Sequence, residues 1–268
     1  MLSKDCTTTR LPANTGTRLS SRVSSTLRQP ETDSFANALR IYGQKEYVNA
    51  HNHKFMRDCL QPILSVNATH EGPLAEKASF DQAGNLHKQF PICVGARVML
   101  LENIWTERGL VNGALGTVDN IIWPAGTEDA RASPSQALLI AFDEYGHEED
   151  GPYLYRRVDR KPVVPIFRSR RDYFISNRSC KRTQFPITVA HAITIHKSQG
   201  VTTDKAVLNL NHREFSRGLS YVVASRVRQL SGLLFDEPIN YEKLRKRTGG
   251  DLAIMRAHDY ERRKDQYI

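Results

Sequence analysis

The sequence predicts an α/β fold interrupted by a small β-rich block. Strand-then-helix patterns appear near both ends of the chain, at 39–60 and again from Ile187. Between them lies a run of short strand candidates with no intervening helix. The composition, 25% charged and 40% hydrophobic over 268 residues, is that of an ordinary globular chain able to bury a sizeable core.

Residues 1–33 are rich in Ser, Thr and Arg and read as an irregular N-terminal segment. Asp5 is its only acid before Glu31, so a mitochondrial presequence is one reading of it and the frayed start of a domain another. From Thr32 the pattern turns regular. Asp33 or Ser34 can cap a short helix running to Ala38, and LRIYG at 39–43 reads as a strand. A second helix is expected from about Lys45 to Leu60, with Val48, Phe55 and Met56 facing inward. Gly72, Pro73 and Gly84 mark a loop region before the β-rich block.

That block offers strands at 96–101, 115–122, 137–142 and 162–167, punctuated by Asn112-Gly113, Pro124, Gly126, Gly146 and Gly151. Short strands without helices suggest a small barrel rather than a parallel sheet. Asn112-Gly113 reads as a tight hairpin turn. Beyond it, ITVAHAITIH at 187–196 reads as one buried strand entering a glycine-containing turn, and KAVLNL at 205–210 as another strand. Residues 214–228 read as helix, and the charged tail from Glu242 as helical or loose.

Several function classes are excluded. No apolar run approaches a membrane span. The four cysteines (Cys6, Cys59, Cys93, Cys180) lie far apart with no CxxC pair, so they read as free thiols rather than a disulfide framework or a zinc site. The nine histidines make no HExxH, and His51 and His53 are wrongly spaced for one helix face, so no metal site is expected. The charge is informative once located. Between Gly151 and Phe185 stand ten Lys/Arg against two Asp/Glu, with Tyr153, Tyr155, Phe167, Tyr173 and Phe174 among them. Cations neutralise phosphates and rings stack on unpaired bases, so this tract is a candidate nucleic-acid contact, with Arg168, Arg170 and Arg171 as its centre. A solvated loop is the alternative.

None of the sixteen glycines is followed by lysine, so the GxxxxGK[ST] phosphate cradle is not in this chain. ALLIAFDEYG at 137–146 resembles an apolar strand ending in a Walker B pair, but without a partner loop Asp143 and Glu144 read as the polar end of a hairpin strand. Two strings carry the chemistry: TIHKSQG at 194–200 and YVVASRVR at 221–228. The first is a polar turn after a buried strand, in which Gly200 lets the backbone approach a phosphate. An ordinary strand-to-loop turn, with His196 a structural histidine, is the alternative.

These strings resemble the last two motifs of a superfamily 1 helicase, and in detail those of the Pif1 family. The resemblance covers roughly residues 18–240. RLSSRVSSTL at 18–27 and LRIYGQKEYVNAHN at 39–52 are similar to the family's motif IV region. There Gln44 stands for the usual threonine and Lys45 for the usual arginine, which keeps the charge but not the bidentate fork. FPICVGARVMLLENIWTERGLVNGALGTV at 90–118 resembles the 2B-domain signature, QFPITVAHAITIHKSQG at 184–200 motif V, and GLSYVVASRVRQLSGL at 218–233 motif VI.

The resemblance implies a second RecA-like domain interrupted by an SH3-like 2B barrel, with the first RecA-like domain missing. It divides the chain into a remnant of a preceding domain (1–33), domain 2A in two parts (34–85 and 184–245), the 2B insertion with the basic tract (86–183) and a charged tail (246–268). It implies the C-terminal portion of an ATP-dependent 5′→3′ DNA helicase, in which Arg226 is the arginine finger and Gln199, Gly200 and Lys45 lie near the nucleotide. Thr194, His196, Lys197 and Ser198 would contact the DNA backbone. A helix-surface arginine in an ion pair is the plainer reading of Arg226. ATP and Mg2+ belong to the complete enzyme, and neither is expected to bind tightly to this chain alone. The implied partners are single-stranded DNA or DNA junctions and the N-terminal RecA-like half, without a membrane, in the nucleus or alternatively the mitochondrion. The competing readings are a stand-alone nucleic-acid-binding module without ATPase activity and a Helitron-transposon remnant.

Overall fold

The computed structural model describes residues 19–129, 133–145, 152–209 and 226–238. The expected helix at 214–228 lies mostly outside these residues, as does the tail from Glu242. Its described end, Arg226–Arg228, is turn and bridge rather than helix.

Pro30, whose fixed φ suits a first helical turn, opens a five-residue helix, α1 (Gln29–Asp33), capped at its C-terminus by Ser34. The expected helix from Asp33 or Ser34 to Ala38 does not form. Ser34 Oγ instead donates to the Glu31 carbonyl at 2.6 Å, and Phe35 is buried, so 34–38 turn into the next strand. The second helix, α2 (Lys45–Asp58), follows the first strand as expected and ends two residues earlier than the sequence suggests. Met56 is its buried residue, with Val48 and Phe55 half-buried.

The strands in chain order are β1 (Leu39–Tyr42), β2 (Leu64–Asn67), β3 (Thr69–Glu71), β4 (Gln89–Ile92), β5 (Arg97–Leu100), β6 (Leu115–Ile122) and β7 (Ala137–Phe142). There follow β8 (Tyr155–Arg156), β9 (Pro162–Ile166), β10 (Ser169–Ile175), β11 (Arg178–Gln184), β12 (Ile187–Val189), β13 (Ala192–Thr194), β14 (Ala206–Asn209) and β15 (Leu233–Phe235).

A four-stranded sheet in the order β13-β1-β14-β15 is parallel at every pairing. Tyr42 stands opposite both Thr194 and Asn209, so the carboxyl ends of three strands line up at one edge. The N-terminal segment docks on the far side: Val23 bridges Phe235, and the Arg22 guanidinium donates to the carbonyls of Leu233 and Ser231, both at 2.9 Å.

The second large sheet has six strands in the order β12-β5-β6-β7-β9-β8, antiparallel throughout, with a bulge between Val118 and Asn120. β2 pairs with β4, and β3 joins the β10–β11 hairpin. Leu64–Glu71 thus pairs with β4 and β11 rather than with the parallel sheet. The basic tract forms four strands, not a loop.

β5 is one of the strands that join the two halves. β5 is buried on both faces: Val98 and Leu100 enter the core of the antiparallel sheet, while Met99 enters the core of the parallel sheet beside Ile41 and Ile193. Met56 of α2 packs in the antiparallel core in turn. Each apolar side chain buried this way contributes about 1.5–3 kcal/mol.

The expected single strand at 187–196 is two strands in two sheets. β12 runs antiparallel to β5, whereas β13 runs parallel to β1, and the chain switches at Ala190-His191. The Arg97 backbone N–H donates to His191 Nε2 at 3.0 Å, the His191 ring stacks on Phe55, and the Asn52 side-chain amide pairs with both backbone groups of Ala192. Uniform apolarity hides this break, because residues buried in two adjacent cores read as one run. No described helix is long and apolar enough to cross a membrane.

Candidate nucleic-acid and nucleotide interface

The carboxyl edge of a parallel sheet is where α/β folds bind ligands, because loops leave the strands there. Here β13 ends at Thr194, Ile195 takes helical angles, and a 3-10 turn runs from His196 to Ser198. Thr194 Oγ1 accepts a hydrogen bond from the Lys197 N–H at 3.4 Å, and Ser198 Oγ donates to the Ile195 carbonyl at 2.7 Å. Ser198 is buried, whereas His196, Gln199 and Gly200 are exposed. Gly200 sits at φ +82° with nothing within 4 Å of where a Cβ would lie, so the backbone there is open to an incoming group.

Arg226 meets this turn directly. Its guanidinium donates to the Ser198 carbonyl at 3.4 Å, and its own carbonyl accepts from the Thr203 N–H at 2.9 Å. Val227 bridges Thr203 as well. The structure therefore brings together the two strings that the sequence singled out. Arg228 goes elsewhere, to Glu144 at 2.8 Å and Asp204 at 3.4 Å.

Lys45 opens α2 just past the carboxyl end of β1, preceded by the extended N-cap Gln44. Lys197 Nζ lies 5.0 Å from the centroid of the Phe80 ring. Burial lowers the pKa of that ammonium, and the nearby charge of Lys45 lowers it further, with Asp81 opposing. Two cations thus share this edge.

The tract arginines are placed differently. Arg168 donates to the carbonyls of Asn67 at 2.9 Å and Ser135 at 3.4 Å and lies over the Phe185 ring, its pKa lowered by burial. Arg171 pairs with Glu102. Arg182 is buried and donates to the carbonyls of Leu86, Ala75 and Ala78. Arg170 is exposed, 3.7 Å from Asp172, and Arg178 is exposed at the hairpin turn. Much of the tract therefore holds the fold together, and the outward-facing cations are fewer than the sequence count suggests.

Asp143 closes β7 and lies between Arg97 and Lys161, at 3.0 Å from each through Oδ1. Burial alone would raise its pKa, but the hydrogen bonds and charges of Arg97 and Lys161 outweigh that and hold it below the usual value. With Glu144 paired to Arg228, the Asp-Glu pair is structural. Among the described residues no three His, Cys, Asp or Glu side chains gather in a way that could hold a metal.

Sequence reasoning missed the surroundings of Lys197. A cleft of about 270 Å³ separates the Thr194–Gly200 turn from the Asn112-Gly113 turn, with Phe80, Met99 and Leu101 supplying its apolar lining. Phe80 is steadied by His87, ring centroids 4.5 Å apart, and His87 Nε2 lies 3.0 Å from Thr188 Oγ1. Phe80 belongs to no element recognisable from periodicity, which is why nothing singled it out.

Residues 77–121 match the family model of the DNA helicase Pif1 2B domain. The chain is 27% identical over 228 residues to the ATP-dependent DNA helicase Pif1 of Psychrobacter sp., covering 75% of this chain and 34% of that protein. It is 30% identical over 197 residues to the ATP-dependent DNA helicase PIF1 of Mus musculus, covering 73% and 26% respectively. The fold superposes with TM-score 0.60 on Pif1 helicase from Bacteroides in complex with ADP-AlF3 and ssDNA, at 24% identity, over 91% of this chain and 49% of that one. The chain thus spans about a third or less of these curated relatives and about half of the solved chain.

Proposed function

Because the chain belongs to the Pif1 family of helicases, matching its C-terminal part, we propose that it supplies the second RecA-like domain, with an SH3-like 2B insertion, of an ATP-dependent 5′→3′ DNA helicase. The observation that carries this reading is the bond from the Arg226 guanidinium to the carbonyl of Ser198. It joins a cation suited to a transferring phosphoryl group to the turn suited to a DNA backbone.

In this reading ATP lies between this chain and a first RecA-like domain. Arg226 reaches the γ-phosphoryl, where it stabilises charge that spreads over the equatorial oxygens. Lys45, Gln199 and Gly200 stand beside the nucleotide, the lysine adding positive charge and the glycine exposing backbone. Thr194, His196, Lys197 and Ser198 hold the backbone of one DNA strand. The contact at Ser198 sets the nucleotide-facing cation beside the DNA-facing turn, so the two ligands would meet the same edge. Magnesium would be held by the phosphates and by residues beyond those described. The edge fits a nucleotide on its own donors: two cations, an open glycine and an arginine poised across the turn. The nucleus or the mitochondrion is the matching location.

The test uses the complete enzyme. Arg226→Ala is expected to reduce DNA-stimulated ATP hydrolysis by about 10³-fold or more, the usual scale for an arginine finger, while single-strand affinity stays within about twofold, a change of ~0.4 kcal/mol. A large loss of DNA affinity with hydrolysis retained would overturn the assignment. The purified chain by itself is expected to show no DNA-stimulated hydrolysis, and measurable turnover by it would contradict the need for a second nucleotide-binding half.

A further inference from the structure

The cleft beside Lys197 has a composition that backbone binding alone does not explain. Phosphates call for cations and backbone amides, and Lys197 and Gly113 are at hand in the lining, yet Phe80, Met99 and Leu101 line the cleft as well. Around that apolar lining stand the side-chain amides of Asn85, Asn112 and Gln199 and the imidazole of His196. These four polar groups are exposed, and none makes a side-chain hydrogen bond to another described residue. Asn85 and Asn112 are also held in place by their backbones: the Asn85 N–H donates to the Phe80 carbonyl at 3.0 Å, and the Asn112 N–H to Asn103 Oδ1 at 2.8 Å.

We propose that this cleft takes a single unpaired nucleobase from the bound strand. The proposal rests on the reading that this edge binds single-stranded DNA, and adds that one base leaves the stack to enter between the two turns. A flat ring with polar edges matches an apolar lining rimmed by amides. Each amide offers both a donor and an acceptor, so the rim can meet the edge of any base and the site is sequence-tolerant. Lys197, held at the Phe80 ring, stands where it can reach the phosphate of the same nucleotide. The volume of about 270 Å³ is ample for one base. The cleft bridges the parallel sheet, through His196, Lys197 and Gln199, and the antiparallel sheet, through Met99, Leu101 and Asn112, so an inserted base ties the two together.

The test compares two fluorescein-labelled oligonucleotides of equal length and equal phosphate count, oligo-dT and its abasic analogue, binding to the purified chain by anisotropy at low salt. Base–aromatic stacking is worth a loss of about 5- to 160-fold per base by substitution, so the abasic strand is expected to bind at least about 5-fold more weakly. The double substitution Asn85→Gly, which suits the φ of +63° there, and Asn112→Ala, both exposed and outside the core, should weaken oligo-dT binding and leave the abasic strand unchanged. Equal affinity for the two strands, or a variant that weakens both alike, overturns the base site while leaving the strand-binding reading intact. Failure to bind either strand overturns the strand-binding reading itself, and this proposal with it.

Discussion

At the residue scale, Cys93 shows how burial sets reactivity. Its thiol is buried, and desolvation first, then the hydrogen bond and charge of Cys59 at 3.6 Å, push its pKa up to about 12. The thiolate is the reactive form, so Cys93 is expected to resist iodoacetamide at pH 8 until the chain unfolds. Peptide mass mapping with and without denaturant checks this, and prompt alkylation in the folded protein would contradict it. Gly200 makes a second case. Its φ of +82° is strained for any side chain, yet open space surrounds it, so Gly200→Ala should cost about 1–2 kcal/mol through backbone strain alone, read as a shift in denaturation midpoint. Both roles differ in legibility. Gly200 was visible in the sequence because a motif placed it, whereas the free-thiol reading of Cys93 came from spacing and could not foresee a second sulfur nearby. Arg226 was legible as a cation in a motif, but its bond to Ser198 was not, since the two lie in different strings.

At the level of elements, the basic tract shows where charge counting stops. Lysine and arginine density along a chain says nothing about which cations face a strand alternation's inner side. Successive residues of β10 and β11 point to opposite faces, so Tyr173, Cys180 and Arg182 are buried while Arg170 and Phe174 are exposed. Two substitutions separate the roles. Arg170→Ala, on the outer face, is expected to lower the slope of log affinity against log salt by about 1 if it neutralises one phosphate, with little change in stability. Arg168→Ala removes the donor to the Asn67 and Ser135 carbonyls and should instead destabilise the fold by about 1–3 kcal/mol. The reverse pattern, a salt effect at Arg168 and a stability effect at Arg170, would show that the roles of the two arginines are misassigned. The strands at 115–122 and 137–142 were legible to the residue because turn chemistry bounds them. The break at Ala190-His191 was not, because no glycine, proline or polar cluster marks it and only the direction of the partner strands requires it.

At the scale of the whole molecule, the two sheets are joined where β5 lies between both cores and where β12 passes into β13, and a histidine stands at that passage. His191 accepts from the Arg97 N–H with its ring against Phe55, and burial, followed by the charges of Arg97 and His51, lowers its pKa to about 3. His87, behind Phe80, is lowered to about 4, mainly by burial and then by Lys197 and Arg182. Both are therefore neutral in the folded chain at neutral pH, while an unfolded histidine takes a proton below about 6.5. The folded pKa lies below the unfolded one, so the unfolded state binds more protons and stability falls with decreasing pH from about 6.5 down towards the folded values. The slope has an upper bound of about 1.4 kcal/mol per pH unit for each histidine. Because one strand serves two sheets, this loss should be felt by both together, and urea unfolding at pH 5.5 should show a lower midpoint but a single transition by fluorescence and by circular dichroism. His191→Gln keeps an acceptor for the Arg97 N–H and removes the titration, so it should flatten the pH dependence by about one proton between pH 6.5 and 5. An unchanged slope in that variant would mean that the acid sensitivity arises elsewhere, and two separate transitions would mean that β5 does not bind the sheets into one cooperative unit.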